Sequence, residues 1–355
     1  MSRFLQLHLL TFFPPANLNR DDTGRPKTAI VGGATRLRLS SQALKRAWRT
    51  SDAFAAALAG HMGQRTQRLG EVVLAHLRAG GWDDTQAIPV ARDIAGVFGK
   101  VKDAKDPNPA RTEQLAFISP EERQAALALA DRALAGEKTD AKAAGLLRTA
   151  DTAADIALFG RMLADNPSYN REAAAQVAHA ITTHKVTVED DYYTAVDDLK
   201  TSAEDAGAGF LGEAAFGSGV FYLYLCVDRT LLVKNLGGDT ALAAIALGAL
   251  AEAAATTAPS GKQNSFAAHG RAGYVLAERG DQQPRTLAGA FARPVPLTSD
   301  DIMATSIDKL RGFRAAIDKA YALATDPSIE MEVGGEGTLA DIVAFFRENA
   351  PCPAT

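Results

Sequence analysis

The sequence predicts an α+β fold in which a β-sheet carries helices on one face and is interrupted by long excursions. An apolar segment with period-two alternation lies near the N-terminus, and Ala-rich segments of helical character fill about 53–183. Strand-like segments then return after residue 184 and alternate with further helices. Strands and helices in separate runs are typical of α+β proteins rather than of doubly wound ones.

The first element is a predicted strand over residues 4–13, which ends at the breaker Pro14-Pro15. Gln6 and His8 interrupt its apolar run at every second residue. This alternation indicates a strand rather than the apolar region of a signal peptide.

The next predicted elements are a loop, a short strand end and a helix. Gly and Pro break residues 16–35, and Leu37 and Leu39 indicate the strand end. Ser40 or Ser41 is a good N-cap for a helix that runs to about Arg49.

The middle of the chain is predicted to be a helical insertion, with segments at 53–80, 86–99, 120–136, 140–164 and 171–183. After it, 219–228 and 273–280 are predicted strands. A helix capped by Asp239 runs to about 255, and the last two helices cover 299–323 and 338–349.

The cysteine and hydropathy patterns bear on location. Cys226 and Cys352 lie far apart and form neither a disulfide framework nor a CxxC metal site, which favours a reducing cytoplasm. The most apolar segment, 241–255, is too short to span a bilayer and contains Glu252. We therefore expect a cytoplasmic protein without membrane contact.

Positive charge is concentrated at the N-terminal end. Residues 1–50 contain nine cations and two acids, a net charge of +7, which leaves −11 for the rest of a chain whose formal charge is −4. The segment 35–49, TRLRLSSQALKRAWR, has five cations and no acid. This asymmetry predicts a local site for a polyanion on an otherwise acidic protein.

The predicted helix from Ser41 explains how such a site could be built. Gln42, Lys45, Arg46 and Arg49 fall on one face, while Leu44, Ala47 and Trp48 would pack inward. The first turn of the helix also offers free N–H groups, a positive dipole end and serine hydroxyls. We interpret this surface as a site for a phosphate backbone.

Other motifs carry less weight. GAGFLG at 207–212 matches GxGxxG but does not follow a strand, and His179 and His184 are wrongly spaced for a zinc pair. Paired acids such as Asp21-Asp22 are common at caps and turns. The polar loop at 259–266 could contact phosphate or sugar, or be an ordinary turn.

With these residues in view, the sequence resembles the CasC-type backbone subunit of the type I-E CRISPR surveillance complex, Cascade. The matching segments are spread over nearly the whole chain: LNRDD (18–22), GG…RLRLSSQALKRAWR (32–49), DDYYTAVDDL (190–199), FGSGVFY (216–222) and GKQNSF (261–266). The helical section, about 60–180, is the weakest match.

The resemblance implies a subunit shaped like a right hand. Its palm, 1–55 and 184–355, would have a modified RNA-recognition (ferredoxin-like) fold and carry a β-rich thumb loop at about 190–218. Its helical fingers would be the insertion 56–183. Several copies would polymerise along the CRISPR RNA spacer, with other Cascade subunits, and kink it for base pairing with target DNA.

The resemblance also assigns residues, without a cofactor or metal. The guide RNA would contact Arg20, Lys27, Arg38, Ser40, Ser41, Gln42, Lys45, Arg46, Arg49, Lys262, Gln263 and Asn264. Phe210 and Leu211 of the thumb would contact RNA at the kink, and Lys138 and Lys142 of the fingers would contact target DNA.

No enzymatic activity is expected, because type I-E members are not nucleases and target cleavage belongs to a recruited helicase-nuclease. Two alternatives remain open. A metal-dependent RNA-cleaving backbone subunit would use Asp21 or Asp22 and would cleave paired RNA. A dinucleotide-binding oxidoreductase would show cofactor absorbance after purification.

Overall fold

The computed structural model of the chain describes residues 2–195, 210–323 and 327–348. These residues form eleven strands and eleven α-helices. The strands are β1 (Phe4–Ala16), β2 (Thr28–Val31), β3 (Ala34–Leu39), β4 (Gln64–Thr66), β5 (Ala116–Ile118), β6 (Ala175–Val177), β7 (Ala180–Thr182), β8 (Glu189–Ala195), β9 (Phe210–Asp228), β10 (Ala272–Gly280) and β11 (Ser328–Glu332). The helices are α1 (Ser41–Arg49), α2 (Asp52–Ala57), α3 (Leu69–Ala79), α4 (Asp84–Gly96), α5 (Pro120–Leu134), α6 (Ala154–Phe159), α7 (Arg229–Asn235), α8 (Thr240–Thr256), α9 (Gln263–Phe266), α10 (Ile302–Ala320) and α11 (Leu339–Arg347).

Nine of the strands form one sheet, in the order β11-β10-β1-β9-β7-β3-β2, with β6 and β8 also paired to β9. The pairings between these strands are antiparallel. A separate ribbon consists of β4 and β5. The predicted α+β class is therefore confirmed, while the finer RNA-recognition description of the sheet stays a prediction.

Helices cover both faces of the sheet, so the prediction of helices on one face is wrong. Leu5, Leu7 and Leu9 of β1 pack in the same core as α1, α8 and α11. On the opposite face, Leu10 packs in a second core with Leu310 of α10. The central strand β1 therefore has apolar partners on both sides.

The polar residues of β1 are buried and paired, which explains how they fit a central strand. The Tyr224 hydroxyl donates to Gln6 Oε1 at 2.7 Å, and His8 Nε2 lies 3.2 Å from Glu278 Oε2. Both pairs join neighbouring strands of the sheet. The period-two alternation thus predicted the strand correctly. The polar side chains of β1 form a buried hydrogen-bonded network with the neighbouring strands.

Three of the predicted helical segments differ from the structure. Residues 171–183 contain β6 and β7, the segment 140–164 contains only the short α6, and 53–80 is divided into α2, β4 and α3. Ala175 pairs with Val227 and Ile181 with Tyr222 of β9. Pairing with an existing strand overrides the helix propensity of Ala.

The hydrophobic cores divide the chain differently from the sequence boundaries. Val73, Leu77, Ile94 and Leu129 belong to a core built by α3, α4 and α5. However, α6, β6 and β7, which lie within the predicted fingers range 56–183, contribute buried residues to the core of the large sheet. The division into palm and fingers stays a prediction for the remaining residues.

The most apolar helix, α8, is buried against the sheet. Leu247 and Leu250 are fully buried in the core below β1. None of the helices in the described ranges is long and apolar enough to cross a membrane.

Candidate nucleic-acid interface

The predicted basic helix is present as α1, and Ser40 is its N-cap. The Ser40 hydroxyl accepts a hydrogen bond from the Ala43 N–H at 3.3 Å. Leu44, Ala47 and Trp48 are buried, as the spacing predicts. The first turn contains no acidic residue, so the positive end of the helix dipole is not compensated within α1.

The basic face of α1 divides into two halves. Gln42 and Arg46 are exposed, and within the described ranges Arg46 has no ion-pair partner. Ser41, which begins the helix, is half-buried, and its hydroxyl lies 3.4 Å from Gln42 Oε1. This half presents a free cation and polar groups to solvent.

The other half, Lys45 and Arg49, leans against α6 and β5. The Lys45 ammonium lies 5.9 Å from the centroid of the Phe159 ring, and burial lowers the pKa of Lys45. Arg49 Nη1 lies 3.4 Å from Asp155 Oδ2, and its guanidinium is 5.1 Å from the Phe117 ring. The prediction of one shared face missed this difference, because it depends on residues about 70 to 110 positions away in the sequence.

Asn19 connects the N-terminus of α1 to the preceding loop. Its side-chain oxygen accepts from the Ser40 N–H at 2.8 Å, and its carbonyl accepts from the Lys27 N–H at 2.8 Å. The loop between them is closed by a bridge from Arg20 to Pro26. Arg20 is exposed and Lys27 is half-buried, so two predicted cations flank the helix cap.

Arg38 of β3 extends this basic surface and has a partner that the sequence did not reveal. Arg38 Nη1 lies 2.8 Å from His179 Nδ1. Burial lowers the pKa of His179, and the charges of Arg38 and Lys27 lower it further. His179 is therefore neutral near pH 7 and accepts the hydrogen bond, which leaves the Arg38 charge intact.

The second predicted loop lies directly against the first. A Cβ on Gly261 would be 2.3 Å from the Leu18 carbonyl oxygen, so only glycine fits this contact. Lys262 adopts φ +49°, a left-handed conformation that is uncommon outside glycine. The structure thus brings together two segments that are about 240 residues apart in sequence.

The predicted residues of that loop have different surroundings. The Gln263 side-chain amide donates to the carbonyls of Pro259 at 3.0 Å and Ala268 at 3.1 Å. Lys262 is half-buried and Asn264 is exposed. Gln263 therefore uses its side-chain donors to hold the loop, whereas Lys262 and Asn264 remain available to a ligand.

Arg36 does not belong to the solvent-facing surface, although it lies in the basic segment 35–49. Its side chain is fully buried and donates to the carbonyls of Thr182 at 2.7 Å and Phe291 at 2.9 Å. Burial lowers its pKa. Its role is to join β3 to β7 and to the segment that crosses the opposite face of the sheet.

The predicted thumb begins as a hairpin of β8 and β9, with Glu189 opposite Phe216. Arg25 Nη1 lies 2.7 Å from Asp190 Oδ1, and this ion pair connects the hairpin to the loop before β2. Phe210 and Leu211 start β9, but their side chains lie outside the described part of the structure, as do residues 196–209. The proposed contacts of the thumb with RNA stay predictions.

The lysines of the predicted fingers are of two kinds. Lys100 pairs with Glu113 at 2.8 Å, and Lys102 pairs with Asp106 at 3.5 Å. Lys138 and Lys142, which follow α5, are exposed and have no ion pair in the part of the chain that the structure describes.

Of the paired acids, Asp21 organises a turn, because its Oδ1 accepts from the Thr23 hydroxyl at 2.7 Å and from the Arg25 N–H at 3.0 Å. The Thr23 hydroxyl is the main cause of the lowered pKa of Asp21. Among the described residues, no group of three or more His, Cys, Asp or Glu could hold a metal ion.

Comparisons with known proteins identify the family and the fold of the chain. The family described as CT1975-like protein (Cas_CT1975) matches residues 5–340. A solved chain described as "CRISPR RNA-guided surveillance complex, pre-nicking" has a TM-score of 0.84 and 30% identity, and the match covers 98% of this chain and 100% of that one. A second, described as "CRISPR RNA-guided surveillance complex", has a TM-score of 0.72 and 27% identity over 95% of this chain and 94% of that one.

A comparison with curated proteins finds no match. The family match nevertheless covers most of the chain, and the structural matches extend over nearly all of it. The resemblance drawn from the sequence motifs is therefore confirmed: the chain belongs to the CT1975-like protein family and has the fold of a subunit of CRISPR RNA-guided surveillance complexes.

Proposed function

We propose that this protein is a guide-RNA-binding backbone subunit of a Cascade-type surveillance complex. The observation that carries the proposal is the joining of separate basic segments around the N-terminus of α1. The loop with Arg20 and Lys27 is tied to the helix cap, and the loop with Lys262 lies against it through Gly261. Together they place Arg20, Lys27 and Lys262 around the start of α1, on a chain with net negative charge.

This surface suits the backbone of a nucleic acid rather than its bases. Free backbone N–H groups at a helix start, a positive dipole end and arginine or lysine side chains all favour phosphate oxygens. Such contacts position a strand without reading its sequence. Sequence would then be read by base pairing between guide and target, as in other RNA-guided effectors.

The proposed partners follow from this role. Further copies of the chain would bind along the same guide, and other Cascade subunits would complete the complex. The hairpin of β8 and β9 would be the base of a thumb that contacts RNA. The exposed Lys138 and Lys142 would contribute a weak electrostatic contact to target DNA.

We further propose that the protein binds RNA without cleaving it. The competing function, a metal-dependent RNA-cleaving subunit, would need Asp21 or Asp22 as a ligand or catalytic acid. Incubation of the protein with RNA paired to a complementary strand, with and without Mg²⁺, distinguishes the two. Metal-dependent cleavage that Asp22→Asn abolishes would support the competing function.

Salt dependence of RNA binding tests the proposed surface. Arg46→Ala should weaken binding to single-stranded RNA of any sequence, because it removes a phosphate contact. Each lost contact should also flatten the slope of log K against log salt by about 0.7. Lys319→Ala, an exposed cation of α10 on the opposite face of the sheet, is the matched control and should change neither quantity.

Two outcomes would contradict the proposal. One is an Arg46→Ala variant with the affinity and salt slope of the wild type. The other is a purified protein that neither retains nor binds RNA while its fold is intact. Sequencing of any nucleic acid that co-purifies with the chain would identify the guide directly.

A further inference from the structure

Beside α1 lies a cleft lined by Arg65, Phe117 and Phe159, and three cations contact these two aromatic rings. The guanidinium groups of Arg49 and Arg65 each lie 5.1 Å from the centroid of the Phe117 ring. Lys45 lies over the neighbouring Phe159. Arg65 comes from β4, so the cleft extends the basic surface from α1 to the two-stranded ribbon.

A buried carboxylate lies behind these cations. The Asp155 side chain is fully buried, and its Oδ1 accepts from the N–H groups of Gly63 at 2.7 Å and Ile156 at 3.0 Å. Its Oδ2 faces Arg49 at 3.4 Å. The two backbone donors hold the carboxylate in place, so it directs Arg49 across the Phe117 ring.

Two further arginines line the cleft, and each already has an ion-pair partner. Arg161 is paired with Glu122 and Arg171 with Asp151, all of them buried. His61 precedes β4, and its Nδ1 is buried without a hydrogen-bond partner among the described residues. Within the described part of the chain, the cleft therefore combines three cations with one carboxylate, and its net charge is positive when Asp155 is ionised.

We propose that this cleft binds a phosphate of the guide strand and that Arg65 is a further contact to it. Asp155 is a positioning residue for Arg49, and its negative charge repels the bound phosphate. The inference rests on the proposed RNA-binding function and adds a site and a proton-linked step to it. A phosphate and the Asp155 carboxylate both interact with Arg49, and two anions around one cation repel each other. Binding of RNA thus favours the neutral form of Asp155.

The structure sets the direction of the resulting pH dependence. Burial raises the pKa of Asp155 to about 6, although the Gly63 N–H and Arg49 lower it in part. A bound phosphate would raise this pKa further, so RNA binding takes up a proton. Affinity therefore increases as the pH falls from above the raised pKa toward about 6. If the phosphate raises the pKa by about one unit, the gain between pH 7.5 and 5.5 is about sixfold.

The experiment measures the affinity of the full-length protein for a fluorescently labelled single-stranded RNA between pH 5.5 and 7.5. Asp155→Asn keeps the acceptor for Gly63 and Ile156 but removes the charge. It should bind RNA more tightly than the wild type at pH 7.5. It should also lack the increase in affinity of about sixfold between pH 7.5 and 5.5. His61→Asn, which removes the imidazole just before β4, and His179→Asn, which removes the one beside Arg38, should each leave that gain in place.

Two further measurements do not depend on how well Asp155→Asn folds. Calorimetry of the wild type in buffers of different ionisation enthalpy should show uptake of a fraction of a proton per bound subunit near pH 6.5. Arg65→Ala, an exposed substitution, should flatten the salt slope by about 0.7, as one lost phosphate contact requires.

The possible failures are distinct. If RNA binds but no proton is taken up, or if wild type and Asp155→Asn share one pH profile, the role of Asp155 is refuted while RNA binding stands. An unchanged salt slope in Arg65→Ala refutes the additional contact. If neither protein binds RNA at any pH, the proposed function fails, and the inference fails with it.

Discussion

The buried ion pair of Arg161 and Glu122 should control how firmly the α5 region is attached to the rest of the chain. Arg161 Nη1 lies 2.6 Å from Glu122 Oε2, and both side chains are fully buried. The same guanidinium also donates to the carbonyls of Phe117, Arg148 and Tyr169. One side chain therefore joins segments from β5, the loop after α5 and the loop after α6.

Glu122→Gln keeps the shape of the side chain but removes its charge and the acceptor oxygen that takes the Arg148 N–H at 2.8 Å. Gln keeps an acceptor for the Ser119 N–H, so the capping box of α5 can persist. What remains is a buried guanidinium without a counter-ion, which destabilises a protein by about 3–5 kcal/mol. The double variant Glu122→Gln with Arg161→Met has no buried charge. It should be about 2–3 kcal/mol more stable than the sum of the single effects predicts.

Urea-induced unfolding of the four proteins of this cycle gives the coupling free energy. The matched control is Glu137→Gln, which breaks the exposed pair of Arg132 and Glu137 and should change stability by less than about 1 kcal/mol. Additive effects of Glu122→Gln and Arg161→Met would refute the reasoning, because they would mean that the two charges do not interact. A Glu122→Gln variant no less stable than the control would refute it as well.

Three further predictions concern the interface. Gly261→Ala should separate the two RNA-facing loops, because its Cβ would clash with the Leu18 carbonyl, and should weaken RNA binding in a filter assay without unfolding the chain. Charge reversal of Lys138 and Lys142 should slow association with target DNA in stopped-flow measurements and leave guide binding intact; equal loss of both would argue against separate roles. Deletion of 203–215 should leave a folded protein that binds RNA weakly and loads copies without cooperativity, as native mass spectrometry would show. Cooperative loading by that variant would contradict a bridging thumb.

The features of the interface that could be predicted from sequence are those that depend on residues close together in the chain. The cap, the bounds and the buried side of α1 follow from Ser40 and from apolar residues at helical spacing. The strand β1 follows from its alternation in the same way. Each of these features depends on residues within one or two turns of each other, so a window of sequence contains all the information.

The features that sequence reasoning missed depend on distant pairing. Leu39 pairs with Ala180 of β7, and this register brings His179 beside Arg38. The same strand pairing places the Thr182 carbonyl where Arg36 donates to it, which buries one of the five cations of the segment 35–49. Residue type alone cannot distinguish an arginine that donates to backbone carbonyls inside the protein from one that binds phosphate at the surface.

Strand β5 connects the stability of the α5 region to the proposed RNA cleft. The Phe117 carbonyl accepts from Arg161, and its ring contacts Arg49 and Arg65 on the other side. A shift of this residue would therefore change both the buried ion pair and the two cations. We expect Glu122→Gln to weaken RNA binding as well as folding, although Glu122 lies outside the basic surface. The Glu137→Gln control should affect neither, and a Glu122→Gln variant with the RNA affinity of the wild type would show that β5 does not transmit the change.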